Sequence, residues 1–355
     1  MDILNKIKQV DLKGCGGACY PTADKWQAVK EAFGVKKYVI CNASEGEPGV
    51  FKDEYLLSEE PEKVIEGMKV ALDFLSERKV ETKGYIFLNH DYAKEYGSNL
   101  KKIITKKKAD IEIFVKPENS GYICGEESTI LNVIEGKKFQ PRLKPPFPTT
   151  SGLFDYPTLI NNVETFYHVA KIYDGDYEAV RFCTVSGECP NAGVYELSAG
   201  KTIGEVLAET NNIPSYKFIV QVGGGASGEV FNQNQLDRPV SGAMSITLYE
   251  ASEWKAIDLF RHWIGFFFTE SCGQCTPCRE GTYRLFEIIN SKKPDWKLFF
   301  DILDDLSATS FCGLGLSVPI AIKSYLSNVL FDKDLKIKDS NKKDIEKFFS
   351  LSSRT

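Results

Sequence analysis

The chain has 355 residues, enough for two or three domains with real cores, and 43% hydrophobic with 26% charged residues is ordinary globular composition. A formal net charge of −5 argues against nucleic acid as a partner. No apolar run reaches the ~18 residues of a bilayer span, so no direct membrane insertion is expected, and the start Met1-Asp2-Ile3-Leu4-Asn5-Lys6 lacks the apolar stretch of a secretory signal.

The first loop of chemical interest is Gly14-Cys15-Gly16-Gly17-Ala18-Cys19-Tyr20-Pro21-Thr22, leading into a helix near Ala23 to Phe33. Glycines let a backbone approach a ligand closely, and the helix N-terminus behind them offers N–H groups to a phosphate; a plain turn is the alternative. Lys37 to Cys41 reads as a short apolar strand. It runs into Asn42-Ala43-Ser44-Glu45-Gly46-Glu47-Pro48-Gly49, where polar side chains can bond a ring edge or a sugar, or simply solvate a turn. Glu60-Pro61 opens a helix, with Pro61 at a position that needs no N–H donor, and Val64, Ile65, Met68, Ala71, Leu72 and Leu75 recur at helical spacing. Gly84 to Leu88 is the next strand, Tyr92 to Lys106 a helix and Ile111 to Val115 a third strand. This βαβαβ order implies an α/β, Rossmann-like parallel sheet whose ligands sit beyond the carboxyl ends of the strands.

Gly121-Tyr122-Ile123-Cys124-Gly125-Glu126-Glu127-Ser128 then opens a helix to about Glu135, placing acids at its N-terminus. Pro141 to Pro148 is expected to be stiff and extended, carrying Arg142, Lys144 and Phe147. Leu159 to Thr165 caps another helix. From Val180 the pattern changes: strands at Val180 to Ser186 and Val194 to Leu197, a capping box at Thr202-Ile203-Gly204-Glu205 for a helix through Leu207, and strands at Lys217 to Val222 and Ser245 to Glu250 suggest a small β-grasp domain. Gly223 to Gly228 is a glycine-rich loop, read as a connection in preference to a nucleotide loop. From Ile257 onward the chain reads as helices, with Trp263 to Phe268 buried. Tyr283, Phe286, Ile289, Leu303, Leu306, Ile320, Ile322 and Leu326 are read as the core of a helical bundle. Lys292-Lys293 and the lysines between Lys333 and Lys343 read as solvated charge.

The strongest chemical signal lies in this helical region. Cys272, Cys275 and Cys278 stand at two-residue gaps, and Cys312 follows in Phe311-Cys312-Gly313-Leu314-Gly315. Three thiolates so spaced reach three corners of one iron–sulfur cube, and a remote cysteine takes the fourth. Zinc, a disulfide and chance are the rivals. Structural zinc more often uses two separate Cys-x-x-Cys pairs or adds histidines, and a [2Fe–2S] cluster usually has a wider first gap. Ten cysteines without a signal suit a reducing cytoplasm, where thiols bind metals.

Together these segments resemble the NADH-binding flavoprotein subunit of respiratory complex I and its relatives in NAD-linked hydrogenases and formate dehydrogenases. The resemblance runs from Gly14 to beyond Cys312. It implies an FMN- and NADH-binding domain over residues 1–176, a ubiquitin-like β-grasp domain over 177–252 and a helical bundle with the [4Fe–4S] site over 253–355. It implies that Gly14, Gly16 and Gly17 form the flavin-phosphate loop, that Lys25 contacts the cofactor, and that Asn42 and Glu45 hold the ring and ribityl chain. Gly125 and Glu126 would line the same cavity, with Asn161, Asn162 and Thr165 near the phosphate. Glu47, Tyr122, Glu127, Lys144 and Phe147 match positions around the dinucleotide, and Tyr20 stands where the family often has phenylalanine. Glu47 and Glu127 are the acids closest to the chemistry, and Glu127 would repel the extra phosphate of NADPH. Hydride transfer needs stacking and alignment more than an acid or base, so His90, His168 and His262 are given no role.

Four positions depart from the family pattern. Cys15 replaces a usual arginine, Cys19 a glycine and Ser44 an aspartate, while Ala28 replaces an aromatic whose loss would weaken dinucleotide binding by about 0.5–1.5 kcal/mol. Cys15 and Cys19 are read as small residues tolerated in a loop, with a redox pair or an added metal as alternatives. The expected function is NADH to FMN to [4Fe–4S] to a partner. One alternative runs that path toward NAD(P) reduction or bifurcation, and another is a relay or scaffold subunit that has lost the dinucleotide. The loop's closeness to Met1 leaves little of the family's leading segment, and no ferredoxin-like cysteine array follows Cys312. Later carriers are therefore expected on a thioredoxin-like [2Fe–2S] subunit and a larger iron–sulfur subunit, through which any membrane association would run.

Overall fold

The computed structural model describes residues 2–76, 80–331, 343, 345 and 346. The lysines between Lys333 and Lys342 lie outside the described residues. Two compact units emerge, one of residues 1–46 with 51–182, the other of residues 47–50 with 183–355.

The first unit runs α1 (Ile3–Gln9), α2 (Thr22–Glu31), β1 (Lys36–Ala43), α3 (Lys52–Glu59), α4 (Pro61–Leu75), β2 (Glu81–Leu88), α5 (His90–Lys107), β3 (Ile111–Val115), α6 (Glu127–Ile134), β4 (Thr158–Asn162) and α7 (Val163–Asp174). Its sheet has the order β3-β2-β1-β4, and all pairings are parallel. Parallel strands buried on both faces read as near-continuous apolar runs, and Val39, Ile40 and Cys41 are fully buried in that way. Helix α4 carries Pro61 in its first turn and buries Val64, Ile65, Met68, Ala71, Leu72 and Leu75, the apolar stripe its spacing foretold. Gly67 lets α4 lie on α7: a Cβ there would stand 1.9 Å from the Phe166 carbonyl oxygen.

Several elements of the first unit differ from expectation, α1 among them, since no helix was expected over residues 3–9. The segment before α7 is a strand, β4, as well as a cap, because Thr158 to Ile160 are buried against β1. Helix α3 follows Gly49-Val50-Phe51, where no helix was expected. Lys144-Pro145-Pro146 bends, with both prolyl peptide bonds cis, where an extended run was expected.

In chain order, the second architecture begins with β5 (Val180–Gly187), β6 (Gly193–Ser198), α8 (Ile203–Glu209), β7 (Phe218–Val222), β8 (Glu229–Asn232) and β9 (Ser245–Glu250). The sheet order is β6-β5-β9-β7-β8, with β5 and β9 parallel and β7 antiparallel to β8 and β9. This is a β-grasp arrangement with α8 packed on the sheet through Ile203, Val206 and Leu207. The capping box forms: Glu205 N–H donates to Thr202 Oγ1 at 3.3 Å, and Thr202 N–H donates to Glu205 Oε2 at 2.8 Å. Then come α9 (Ala256–Glu270), α10 (Thr276–Asn290), α11 (Trp296–Thr309) and α12 (Gly313–Tyr325). Phe260, Trp263, Phe299 and Tyr325 form their aromatic core, whereas Phe268, Tyr283 and Ile320, expected inside, lie on outward faces of their helices and are exposed. Sheet and helices share one buried amide: Gln221 Oε1 accepts from Trp263 Nε1 and Tyr249 OH, both at 3.0 Å.

Candidate functional site

Of the four cysteines singled out by spacing, three stand at the starts of two helices and Cys272 lies in the loop before the first of them. Cys275 is the N-cap of α10, Cys278 lies in its first turn, and Cys312 is the N-cap of α12. Helix N-termini favour negative charge, which suits thiolates and an anionic cluster. Gly273 adopts φ +74°, and its carbonyl accepts from Arg279 Nη1 at 2.8 Å, which curls the loop between Cys272 and Cys275. Gly315 brings α12 against α10: a Cβ there would lie 2.4 Å from Ser310 Oγ and 3.2 Å from Cys278 Cβ. Burial pushes the Cys278 thiol up to about 11; Ser271 opposes the shift, and the nearby Cys275, Cys312 and Cys272 add to it.

Cys272, Cys275 and Cys312 are partly exposed and Cys278 is buried, as befits a centre near a surface. Among the described residues, no three of these thiols have sulfurs all within 4.8 Å of one another. Thiolates around one tetrahedral zinc, at about 2.3 Å from the metal, would approach to roughly 3.8 Å. The spacing along the chain, three thiols at two-residue gaps and one remote, is what favours a cubane over that zinc geometry.

In the first unit, strand order reverses between β1 and β4. The carboxyl ends of those two strands form the crevice where ligands of open parallel sheets bind. Asn42 and Asn162 face each other across that pair. The glycine loop closes on the same edge. Gly14 N–H donates to the Tyr20 carbonyl at 2.9 Å, Cys15 N–H donates to Thr165 Oγ1 at 3.0 Å, and Gly17 takes φ +103°. A Cβ on Gly16 would come within 3.3 Å of Asn162 Cβ. From α2, Trp26 Nε1 donates to Asn161 Oδ1 at 3.1 Å and Lys25 Nζ donates to the Ile160 carbonyl at 3.2 Å. Asn42 Nδ2 donates to the Gly125 carbonyl at 2.9 Å. Thus Gly14, Gly16, Gly17, Lys25, Asn42, Gly125, Asn161, Asn162 and Thr165 gather around one crevice.

Beneath it lies a buried charge network. Lys52 Nζ reaches Asp53 Oδ1 at 2.6 Å, Asn162 Oδ1 at 3.1 Å and Glu164 Oε2 at 3.2 Å. Asn162 Nδ2 closes a ring on Asp53 Oδ2 at 2.6 Å. Arg181 Nε donates to Glu164 Oε1 at 2.7 Å. Burial opposes ionisation of Glu164, but Lys52 and Arg181 outweigh it and hold the carboxyl well below its ordinary range. Glu45 accepts from Asp53 N–H, from Glu54 N–H and, at 3.0 Å, from Tyr92 OH. Burial and then the Asp53 charge push its carboxyl up from 4.5 to about 7, against Lys52 and the two N–H donors.

The acids at α6 divide their work. Glu126 is the N-cap: its Oε2 accepts from Ser128 N–H at 2.9 Å and Thr129 N–H at 2.8 Å, and its Oε1 accepts from Lys144 Nζ at 2.9 Å. Glu127 pairs with Lys144 at 2.8 Å and Lys25 at 3.3 Å. Burial opposes its charge, yet the two lysines hold its carboxyl below the usual range. Tyr20 and Phe147 are exposed, Lys25 lies 5.9 Å over the Tyr20 ring, and Tyr122 starts a short 3-10 turn. Glu47 belongs to the second unit. Its Oε1 accepts from Ala226 N–H at 3.1 Å and from Ser227 N–H and Oγ at 3.0 Å, so the glycine-rich loop after β7 grips the segment Glu47–Val50.

Comparison with known proteins now places the chain. A family model described as the Nuo51 FMN-binding domain matches residues 7–171, and one described as the NADH-ubiquinone oxidoreductase-F iron-sulfur binding region matches residues 258–335. The corresponding NADH-quinone oxidoreductase subunit of Aquifex aeolicus is 32% identical, over 88% of this chain and 81% of that protein. The chain belongs to the NADH-ubiquinone oxidoreductase-F family. The alpha subunit of the NAD-reducing hydrogenase HoxS of Cupriavidus necator is 34% identical over 91% of this chain, which spans 58% of that longer subunit. A crystal structure of an NAD+-reducing [NiFe]-hydrogenase in the H2-reduced state superposes with a TM-score of 0.83 and 29% identity, over 99% of this chain and 67% of that one.

This member of the oxidoreductase-F family thus carries an FMN-binding domain and a 4Fe–4S-binding region. The crevice fits a flavin. Thr22 Oγ1, in the first turn of α2, and Ser44 Oγ, just beyond β1, are buried without hydrogen-bond partners, and buried hydroxyls of this kind await a ligand or water. Gly125 leaves space beside the second: a Cβ there would stand 3.4 Å from Ser44 Oγ. Lys52, Asp53 and Arg181 carried no signal in the sequence, because Asn162 and Glu164, with which they pair, are distant in the chain. Cys15, Glu164 and His168 offer ligand atoms within 4.8 Å of one another. That cluster does not suit an added metal, because Lys52 and Arg181 already neutralise Glu164, while burial pushes the Cys15 thiol up to about 12.

Proposed function

We propose that this chain is the electron-input subunit of a larger oxidoreductase, taking a hydride from NADH and delivering single electrons to a partner. The observation that carries the reading is one chain holding both a switch-point crevice rimmed by a glycine loop and, within the segment 258–335 that the iron-sulfur binding model matches, Cys272, Cys275, Cys278 and Cys312. FMN supplies the exchange between electron pairs and single electrons, and a [4Fe–4S] cluster takes them one at a time.

The protein's own groups bind, orient and exclude water. Gly14, Gly16 and Gly17 present backbone to the flavin phosphate, on a loop fixed by Asn162 and Thr165, while Asn161 anchors α2 through Trp26. Asn42, Glu45, Gly125 and Glu126 border the ring, with Glu126 committed mainly to starting α6. Lys25, Glu127 and Lys144 form the charged triplet offered to the dinucleotide sugar, and Tyr20, Tyr122 and Phe147 offer it aromatic faces. Glu47 is a further acid assigned to the dinucleotide, with its Oε1 held by Ala226 and Ser227. Cys272, Cys275, Cys278 and Cys312 ligate the cluster.

Functionally the chain divides into the flavin and dinucleotide domain 1–176, the β-grasp domain 177–252 and the cluster bundle 253–355. Its partners are a thioredoxin-like [2Fe–2S] subunit and a larger iron–sulfur subunit. No described helix is long and apolar enough to cross a membrane, and we place the working complex in the cytoplasm. A second reading, the same path run toward NAD+ reduction, is favoured by the likeness to the alpha subunit of the NAD-reducing hydrogenase HoxS.

An anaerobic optical titration of the FMN-reconstituted chain tests the proposal. NADH should bleach the flavin and NADPH should do so far less, since Glu127 disfavours a further phosphate. A flavin that only a reduced partner protein can bleach would replace this reading with a relay that has lost the dinucleotide.

A further inference from the structure

Of the four cluster thiols, Cys278 is the buried one, whereas Cys272, Cys275 and Cys312 are partly exposed. Water can donate hydrogen bonds to an exposed thiolate, but a buried one depends on donors that the protein supplies. Ser271, the C-cap of α9, brings such a donor to the right place. Its Oγ lies 3.4 Å from Cys278 Sγ.

Ligation fixes the direction of this contact. While Cys278 keeps its proton, either atom can donate. A cysteine that ligates a metal is a thiolate with no proton to give, so the Ser271 hydroxyl is then the donor. The loop is arranged for that direction. Gly273 N–H donates to Ser271 Oγ at 3.5 Å, so the oxygen already accepts one hydrogen bond and its own hydrogen is left for the sulfur. Gly273 takes φ +74° there, and its carbonyl accepts from Arg279 Nη1 at 2.8 Å. Arg279 directly follows Cys278 in α10, so donor and target are tied from both ends of the loop.

Reduction adds one negative charge to a cluster and its sulfur ligands. A donor aimed at a ligating sulfur stabilises the reduced form more than the oxidised one, and hydrogen bonds to sulfur are among the levers that set a cluster's potential. The low dielectric around a buried sulfur strengthens the effect. We propose that Ser271 is a positioning residue for electron transfer, whose hydroxyl donates to the Cys278 thiolate and raises the reduction potential of the cluster. The inference rests on the cluster reading of the four cysteines, and it adds to that centre a fifth side chain that ligates nothing.

The test is an anaerobic redox titration of the reconstituted full-length chain with dithionite, the cluster being followed by electron paramagnetic resonance. Ser271→Ala should shift the one-electron equilibrium of the cluster about three- to tenfold toward the oxidised form, a midpoint lower by about 30–60 mV, with the flavin midpoint unmoved. Ser271→Thr keeps the hydroxyl and should restore the wild-type value. In heavy water, electron–nuclear double resonance of the reduced cluster should lose an exchangeable-proton coupling that is present in wild-type protein and missing from Ser271→Ala. An unchanged midpoint in Ser271→Ala, or an equal fall in Ser271→Ala and Ser271→Thr, overturns the proposal. Where Ser271→Ala assembles no cluster, the wild-type spectrum decides, and the absence of any exchangeable proton coupled to the reduced cluster overturns it. Wild-type protein that assembles no [4Fe–4S] cluster overturns the cluster reading itself, and so separates the two failures.

Discussion

Glu45 sits just beyond β1 with a carboxyl raised from 4.5 to about 7, chiefly by burial and then by the charge of Asp53. A folded-state pKa above the unfolded value means the folded chain keeps a proton that the unfolded chain releases. Its contribution is therefore intact below pH 4.5 and is lost as pH rises to about 7. The shift of about 2.5 units corresponds to roughly 3 kcal/mol, an upper figure because Glu45 and Asp53 titrate together. Glu45→Gln removes the titration. Gln retains acceptor capacity for Asp53 N–H, Glu54 N–H or Tyr92 OH, so what it loses in hydrogen bonding is independent of pH. Urea unfolding of the apo chain, followed by far-UV circular dichroism between pH 4.5 and 8, supplies the comparison. The stability of the variant minus that of the wild type should climb by up to about 3 kcal/mol across that interval and level off above pH 7. Taking the difference cancels His262, which burial shifts downward and which gives a pH dependence of opposite sign. A difference that stays flat with pH would show that Glu45 ionises normally and that the network beneath the crevice is misread.

Two substitutions probe the scaffold. Gly67→Ala forces a Cβ onto the Phe166 carbonyl, and separating α4 from α7 should cost about 3 kcal/mol; an unchanged urea midpoint would contradict the close approach. Lys52→Met strips Asp53 and Glu164 of their shared cation and should cost roughly 3–5 kcal/mol at pH 8, with part of the loss recovered near pH 5 as the carboxyls protonate. A loss independent of pH would assign the effect to packing.

Local spacing carried much of this protein. The stripe of α4 and the Thr202 box are patterns within a turn or two of chain, and each stands as the sequence implied. The βαβαβ run gave the parallel sheet, but β4 was legible only as a cap. Its five residues end in two asparagines, and its partner β1 lies more than a hundred residues earlier. What the sequence concealed is tertiary. Lys52 follows an ordinary turn, yet its ammonium is shared by groups up to 112 positions away. The family resemblance implies ligand contacts for Glu126 and Glu47, and much of each carboxylate is already engaged by Ser128 and Thr129 or by Ala226 and Ser227.

The central claim is that one chain turns paired electrons into single ones. The most direct measurement is an anaerobic NADH titration of the FMN- and cluster-reconstituted protein, with flavin absorbance and the electron paramagnetic resonance of the cluster read on the same samples. Flavin bleaching and the reduced-cluster signal should rise together from the first additions, and Cys278→Ser should keep the bleaching and lose the signal. Metal analysis showing one zinc per chain, or a dithionite-reducible cluster that stays oxidised while the flavin bleaches, would contradict the account.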